Sequence, residues 1–137
     1  MANKLVKPVN PESMYNSVEF GFSHATETQG SRLLHLAGQV AWDKQCNLVG
    51  EGDLAAQCAQ VFSNLTEVLT SQGVTPANIA RLRTYVVDYS PDKLAILGPA
   101  IQAFYGDVTP AANTLLGVQS LAMPGFLIEV EATAVLD

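Results

Sequence analysis

The C-terminal stretch Thr-Pro-Ala-Ala-Asn-Thr-Leu-Leu-Gly-Val, residues 109–118, and the later stretch Gly-Phe-Leu-Ile-Glu-Val-Glu-Ala, residues 125–132, carry most of the information about the fold. Apolar residues dominate both segments, and a Pro-Gly pair at residues 124–125 separates them. This pattern predicts two strands, at residues 114–119 and 127–136, joined by a turn. The chain therefore closes with consecutive strands.

A long amphipathic helix lies upstream of these strands. Asp53 is a suitable N-cap, and Gly73 supplies the left-handed residue that commonly ends a helix. The helix between them, about 18 residues long, must bury its wide apolar face against a sheet or another helix. That face is formed by residues at spacings of 3 and 4, together with Phe62: Leu54, Cys58, Val61, Leu65, Val68 and Leu69.

A second helix is predicted at residues 93–105, where Ser90-Pro91 is a favourable start. The pair Gly98-Pro99 interrupts it, because a proline cannot donate a hydrogen bond and its ring crowds the preceding turn. We expect a kink there or two short helices.

The remaining segments complete the order of elements. Strands are predicted at residues 18–23, 33–40 and 79–87, with residues 25–29 continuing the first strand or opening the next. The order ββαβαββ predicts a single α+β domain over residues 1–137, with its helices packed on one face of a mixed sheet.

The composition is apolar and sparsely charged for a small chain. Hydrophobic residues make up 48% of the 137 residues, and charged residues make up 15%. There is no apolar run of about 18 residues, so no membrane span is predicted. The N-terminus has no apolar signal core, so we expect a cytoplasmic protein. The low charge also suggests that self-association hides apolar surface.

The charge pattern disfavours nucleic acid as a partner. The net charge is −6, and among the 7 basic residues only Arg81 and Arg83 lie close together, on one face of their predicted strand. A phosphate backbone is bound by clustered cations, so we expect no nucleic-acid binding. The arginine pair is more typical of a solvated or interface-paired strand face.

The sequence predicts no metal and no other cofactor. His24 and His35 are isolated, without a third ligand at metal-binding spacing. Cys46 and Cys58 form neither a CxxC site nor a disulfide framework. Cys58 lies on the apolar helix face, where a thiol usually acts as a small hydrophobe.

Several motifs match one known family in order along the chain. Leu-Ala-Gly-Gln-Val at residues 36–40 resembles its Ser-Gly-Gln strand end. The Gln and the Asn-Leu pair of its first helix recur at residues 57 and 64–65, and Tyr-Val-Val-Asp at residues 85–88 resembles its central strand. Together with the C-terminal segments, these motifs resemble the Rid family (reactive intermediate deaminases, the YjgF-like or endoribonuclease L-PSP proteins).

The resemblance implies a chorismate-mutase-like α+β fold and a homotrimeric barrel with three clefts between subunits. It also implies a small-molecule ligand, since family enzymes hydrolyse reactive imines and enamines, such as 2-aminoacrylate, to a keto acid and ammonia. In that chemistry a guanidinium holds the substrate carboxylate bidentately. A carboxylate orients the attacking water or moves its proton.

The family's polar site groups are only partly present in this chain. In catalytic members an arginine follows Pro-Ala, and that position falls on Ala112 or, with a one-residue insertion, on Asn113. The resemblance places Phe22 at the aromatic cleft position, often Tyr, and Ala37 at the serine, so two hydroxyls are lost. The resemblance implies a catalytic role for Glu129 and ligand contacts for Phe22, Ala37, Ala112, Asn113 and Thr114.

Two of these residues also have an ordinary structural interpretation. Glu129 and Glu131 share a face of their predicted strand, which is equally typical of a polar subunit boundary paired with Arg81 or Arg83. Asn113 either donates its amide to a ligand or opens the strand as a turn residue.

The missing guanidinium predicts weak or absent deaminase activity on acidic imines. The chain is then either a deaminase-like hydrolase with an altered substrate range or a non-catalytic trimer that binds a metabolite or a protein. Ribonuclease activity, which the family's other name suggests, is disfavoured by the acidic charge and the scattered cations.

Overall fold

Two helices pack on one side of a mixed four-stranded sheet in the computed structural model, which describes residues 5–137. The elements in chain order are β1 (Val6–Val9), β2 (Ala25–Thr28), β3 (Arg32–Gln39), α1 (Leu54–Ser71), β4 (Ile79–Val87), α2 (Leu94–Tyr105), β5 (Ala112–Val118) and β6 (Ile128–Leu136). The sheet order is β3-β6-β4-β5, and β1 pairs with β2 in a separate sheet. The predicted α+β class with helices on a mixed sheet is confirmed.

The strand pairing brings distant parts of the chain into register. Strand β5 runs parallel to β4, whereas β6 runs antiparallel to both β3 and β4. Strands β6 and β4 are therefore the central strands, and β3 and β5 are the edge strands of this sheet. A register irregularity in the β3–β6 pair lies between Leu36 and Gln39.

Alternation along the strands gives this sheet two different faces. On β6, Val130, Ala132 and Ala134 are buried beneath the helices, and we call this side the helix face. Paired strand residues share a face, so the register defines the opposite side, the open face. The open face carries Arg81, Arg83 and Tyr85 of β4, Ala112 and Thr114 of β5, and Glu129, Glu131 and Thr133 of β6.

Helix α1 has the bounds and the buried face that its periodicity predicts. The Asp53 carboxylate accepts a hydrogen bond from the backbone N–H of Ala56 (3.1 Å), which caps the helix. Gly73 follows its end with φ of 70°. Cys58 is fully buried, and burial raises the pKa of its thiol to about 11. The interpretation of Cys58 as a core residue is therefore confirmed.

A buried amide from α1 fixes the start of β6. The Gln57 side chain donates from Nε2 to the carbonyls of Gly50 (3.0 Å) and Gly125 (2.9 Å). Its Oε1 accepts from the backbone N–H of Leu127 (2.9 Å). Gln57 is fully buried, so these bonds satisfy polar groups that would otherwise be costly. They hold the two loops and the strand that carries Glu129.

The predicted strand at residues 18–23 is wrong. A short 3₁₀ helix, Ser17–Phe20, occupies most of this segment, and Gly21 ends it with φ of 88°. The side chain of Asn16 accepts from the backbone N–H of Val18 (3.2 Å) and favours the helical turn. The alternating apolar residues here resemble a strand only locally. The sequence analysis also missed β1, whose partner is β2, the strand predicted at residues 25–29.

Helix α2 continues through Pro99, so two separate helices are not formed. A 3₁₀ turn, Pro91–Lys93, precedes it. Ala95 and Pro99 are exposed, so water can hydrate the carbonyl that the proline leaves without a helical partner. Within residues 5–137 no helix has both the length and the apolarity to cross a bilayer.

Candidate functional site

Glu129 lies on the open face against the backbone of β3. Its cross-strand partner on β4 is Tyr85. A Cβ atom at Gly38 would lie 2.1 Å from the Oε1 atom of Glu129, so the glycine leaves the space that the carboxylate occupies. Burial, followed by the negative charge of Glu131, raises the pKa of Glu129 above its ordinary value of 4.5. Such a carboxylate is suited to accept and return a proton.

Glu131 lies near Glu129 on the same strand face and contacts Tyr85, and Arg83 lies opposite it on β4. The Tyr85 hydroxyl donates to Oε1 of Glu131, and Arg83 is the cross-strand partner of Glu131. The hydrogen bond to Glu131 raises the pKa of Tyr85, and the guanidinium of Arg83 opposes that rise. Arg83 and Glu131 are thus cross-strand neighbours, whereas Glu129 has Tyr85 opposite it on β4.

Of the two positions on which the family's arginine falls, Ala112 lies on the open face beside Arg81, whereas Asn113 lies on the helix-face side of β5. Ala112 and Arg81 are partners in the parallel β4–β5 ladder. The guanidinium of Arg81 donates from Nη2 to Thr114 Oγ1 (3.2 Å), also on β5. A cation is therefore present one strand away from Ala112.

A cavity of about 1040 Å³ lies beside β5, between α2 and the N-terminal segment. Its lining is mainly apolar and aromatic and includes two carboxylate residues, Glu19 and Asp107. Among residues 5–137, no lysine or arginine lines it. Of the predicted ligand contacts, three line this cavity: Phe22, Asn113 and Thr114.

Asn113 has a structural partner. Its Oδ1 accepts a hydrogen bond from Thr84 Oγ1 (3.2 Å), and Thr84 is a buried residue of the helix face. The amide of Asn113 therefore lies on the helix-face side of β5. Asn113 also lines the cavity.

One chain does not bring Glu129 together with the predicted ligand contacts Asn113 and Thr114. Asn113 belongs to the helix face, whereas Glu129 belongs to the open face. Thr114 shares the open face with Glu129 but lies two strands away, so their Cα atoms are about 12 Å apart by ordinary strand spacing and rise. Ala37 lies beside Gly38 at the register irregularity of β3, on the Glu129 side of the sheet.

The sequence analysis named Arg81 only as a possible partner of Glu129 or Glu131, and it gave Tyr85 and Gly38 no role in the site. Tyr85 and Arg81 are placed by the register of β4 with its neighbours, which alternation alone does not determine. Gly38 was noted only as part of a motif. Its importance follows from the Glu129 side chain that contacts it.

Comparison with known proteins agrees with both the motifs and the fold. A solved structure from Yersinia pestis, described as YyfB, a protein of unknown function of the conserved Rid protein family, superposes with a TM-score of 0.93. It is 56% identical and covers 96% of this chain and 98% of that one. The family model described as Endoribonuclease L-PSP matches residues 16–136. The chain belongs to the Rid family.

More distant proteins resemble this chain in sequence or in fold. A RutC family protein of Synechocystis is 29% identical over 105 residues, which is 76% of this chain and 78% of that protein. The crystal structure of RidA from the Antarctic bacterium Psychrobacter shares the fold, with a TM-score of 0.62 at 22% identity over 83% of this chain and 87% of that one. The predicted family membership is confirmed.

Proposed function

We propose that this Rid protein binds a small metabolite in clefts between the subunits of a homotrimer and hydrolyses an imine or enamine there. The observation that carries the proposal is the Glu129 carboxylate, which is held against Gly38 and has a raised pKa. It stands at the position that the family resemblance assigns to the group that handles water.

The reaction requires one group that first accepts and then returns a proton. Water adds to the imine carbon while the Glu129 carboxylate removes a proton from it. Glu129 returns this proton to the nitrogen, which gives the neutral carbinolamine. The hydroxyl proton of the carbinolamine then moves to the nitrogen as the C–N bond breaks, so ammonia leaves and the carbonyl of the keto acid forms. Only water is consumed, so no oxidant or cofactor is needed.

The separation of the site residues supports an assembled site. In a 2-imino acid the carboxylate carbon is bonded to the imine carbon, so one such ligand cannot contact Asn113 and Glu129 of the same chain on opposite faces. A second copy that presents its β5 side to Glu129 would bring them together.

We expect sedimentation velocity to give a species of three times the 14.6 kDa chain mass. A monomer at micromolar concentration would contradict the assembled cleft.

The substrate range should differ from that of arginine-bearing relatives. Phe22 and Ala37 supply no hydroxyl, and Ala112 supplies no cation. Ligands held mainly by apolar contacts and single hydrogen bonds should therefore be favoured over those that need several polar contacts.

The pH dependence of hydrolysis tests the role of Glu129. A general base must be deprotonated, so kcat/KM should rise with pH through an apparent pKa above the ordinary value of 4.5 for glutamate. In Glu131→Gln one cause of the raised pKa, the negative charge of Glu131, is removed. The acid limb of the profile should then move to lower pH, as measured by a coupled assay of keto-acid release.

The direction of that shift is the decisive feature. Burial remains in the variant, so the pKa of Glu129 should fall only part of the way. An acid limb that does not move in Glu131→Gln would show that Glu129 does not control the rate. The far-ultraviolet circular dichroism of the variant serves as its folding control.

A non-catalytic metabolite-binding or protein-interaction trimer is the second candidate. The apolar side chains at Phe22, Ala37 and Ala112 favour it, because they remove polar groups from the positions that the family resemblance identifies. The assay separates the two candidates, since a binding protein would hold the keto acid or another ligand without turning over any imine.

A further inference from the structure

Three aromatic side chains of the N-terminal segment line the cavity of about 1040 Å³: Tyr15, Phe20 and Phe22. The ring of Tyr15 lies at 66° to that of Phe20 and at 67° to that of Phe22, with centroids 6.3 and 6.4 Å apart. We call these three rings the aromatic corner. Rings at steep angles to one another can present several π faces to one positive group, which each face attracts.

Hydrogen bonds hold the aromatic corner in place. Nε2 of His24 donates to the backbone carbonyl of Tyr15 (2.9 Å), and the two rings are 4.7 Å apart. The backbone N–H of His24 and the Ser17 hydroxyl both donate to Oδ1 of Asn10 (2.9 and 3.1 Å). The segment that carries the rings is therefore positioned before a ligand binds, which lowers the entropic cost of binding.

The charges around this cavity favour a cation over an anion. Its lining includes the carboxylates Glu19 and Asp107, and no lysine or arginine among residues 5–137. Both carboxylates are exposed, so water and salt weaken their attraction for a ligand. The net charge of −6 acts in the same direction over a longer range. The aromatic faces supply the attraction at short range.

A buried hydroxyl without a partner also lines the cavity. Tyr105 is 4% exposed, and its hydroxyl is the one buried side-chain polar atom of residues 5–137 that lacks a hydrogen-bond partner. The backbone of Ala111 lies near this oxygen, yet no group accepts the hydroxyl proton. Because the Ser23 N–H donates to the carbonyl of Ala111 (3.0 Å), Phe22 and the Tyr105 hydroxyl lie in the same part of the cavity. A polar group of a ligand there would satisfy the hydroxyl.

We infer that this cavity binds a small organic cation, a quaternary ammonium or a protonated amine, with its positive group at the aromatic corner and a polar group at the Tyr105 hydroxyl. Such a ligand is opposite in charge to the 2-imino acids of the family. The inference goes beyond the proposed function and does not depend on it, because Glu129 does not line the cavity. A protein that hydrolyses no imine could still bind the cation.

Choline and its uncharged isostere 3,3-dimethyl-1-butanol test the inference. The two probes share their shape and their hydroxyl, but a tert-butyl group replaces the trimethylammonium group in the second. In ligand-observed NMR titrations of the full chain, choline should bind about 10-fold more tightly than the isostere, as expected for a partly desolvated cation against aromatic faces. Equal affinities, or binding of neither probe, would overturn the inference.

Phe20→Leu removes one ring of the aromatic corner and keeps the residue apolar. It should weaken choline binding about 3-fold or more and leave binding of the isostere nearly unchanged, because only the cation uses the π face. Phe20 is 62% exposed, so its loss should not disturb the fold. A variant that binds choline as the wild type does would contradict the role of the aromatic corner.

Glu19→Gln with Asp107→Asn removes the two carboxylates of the lining. This double variant should weaken choline binding about 2-fold or more at low salt, and the difference should fade as salt is added. Glu27→Gln with Glu67→Gln is the matched control, since it removes two exposed carboxylates that do not line the cavity. An equal loss in the control would show that choline responds only to the net charge and would overturn the site.

Tyr105→Phe tests the inner end of the cavity. Both probes carry the same hydroxyl, so both should lose affinity alike, by about 3-fold or more, when their buried partner is removed. The melting temperature of the free protein should not fall, because the hydroxyl has no partner in the folded chain. Unchanged binding of both probes would show that they bind outside this cavity.

Discussion

Glu129→Gln should reduce imine hydrolysis by about 100-fold or more, the usual contribution of a positioned general base. Glutamine keeps the size and the hydrogen-bonding shape of the side chain but cannot accept a proton from water at neutral pH. The kcat should therefore fall while the affinity for the keto-acid product stays close to that of the wild type. Steady-state kinetics and product binding by NMR measure the two quantities separately.

Gly38→Ala tests the same carboxylate without altering it. The added Cβ would lie 2.1 Å from Oε1 and 2.8 Å from Cδ of Glu129, so the carboxylate must move away. The atoms that move are at the end of a flexible side chain, so the melting temperature should change little while the kcat falls. If both variants keep wild-type kcat on an imine that the protein hydrolyses, Glu129 has no catalytic role. If the affinity of Glu129→Gln for the keto-acid product fell as much as its kcat, Glu129 would have a role in binding instead.

Gln57→Leu should lower the free energy of unfolding by about 3 kcal/mol, because it leaves two carbonyls and one N–H without their buried partner. These groups belong to Gly50, Gly125 and Leu127, whose loops and strand start are held by this one side chain. Urea denaturation followed by circular dichroism measures the change. The shape of leucine is similar enough that the loss reports mainly on the hydrogen bonds.

The same substitution at the other end of α1 provides the control. Gln72 is exposed, and its side-chain amide bonds only weakly to Ser71 Oγ (3.4 Å). Gln72→Leu should change stability by about 0.5 kcal/mol or less, as surface substitutions usually do. A Gln57 variant that is no less stable than the Gln72 variant would show that the loops around β6 are held by other contacts.

Local sequence patterns were sufficient to predict those elements whose structure depends on residues close together in the chain. The bounds of α1 followed from Asp53, Gly73 and the 3–4 spacing of apolar residues between them. The bounds of β4 and the shared face of Glu129 and Glu131 followed from alternation. The same kind of argument failed at residues 18–23, because alternation there coincides with a capped 3₁₀ turn that ends at a left-handed glycine.

The candidate site depended on contacts that no local pattern contains. The sequence showed that Ala112 and Asn113 are not arginine, but it could not show that Arg81 lies beside Ala112. Nor could it show that Gly38 contacts Glu129, or that Asn113 bonds to Thr84 on the helix face. Each of these contacts joins strands that are far apart in the chain.

The sequence by itself determined the family, the bounds of α1 and the shared face of Glu129 and Glu131, because propensity and periodicity act over a few neighbouring residues. Only the tertiary structure decided which strands are neighbours and in which register. That choice is made by the ladder of backbone hydrogen bonds and by burial of the whole helix face, to which distant segments contribute together. It placed Arg81 beside Ala112 and Asn113 apart from Glu129.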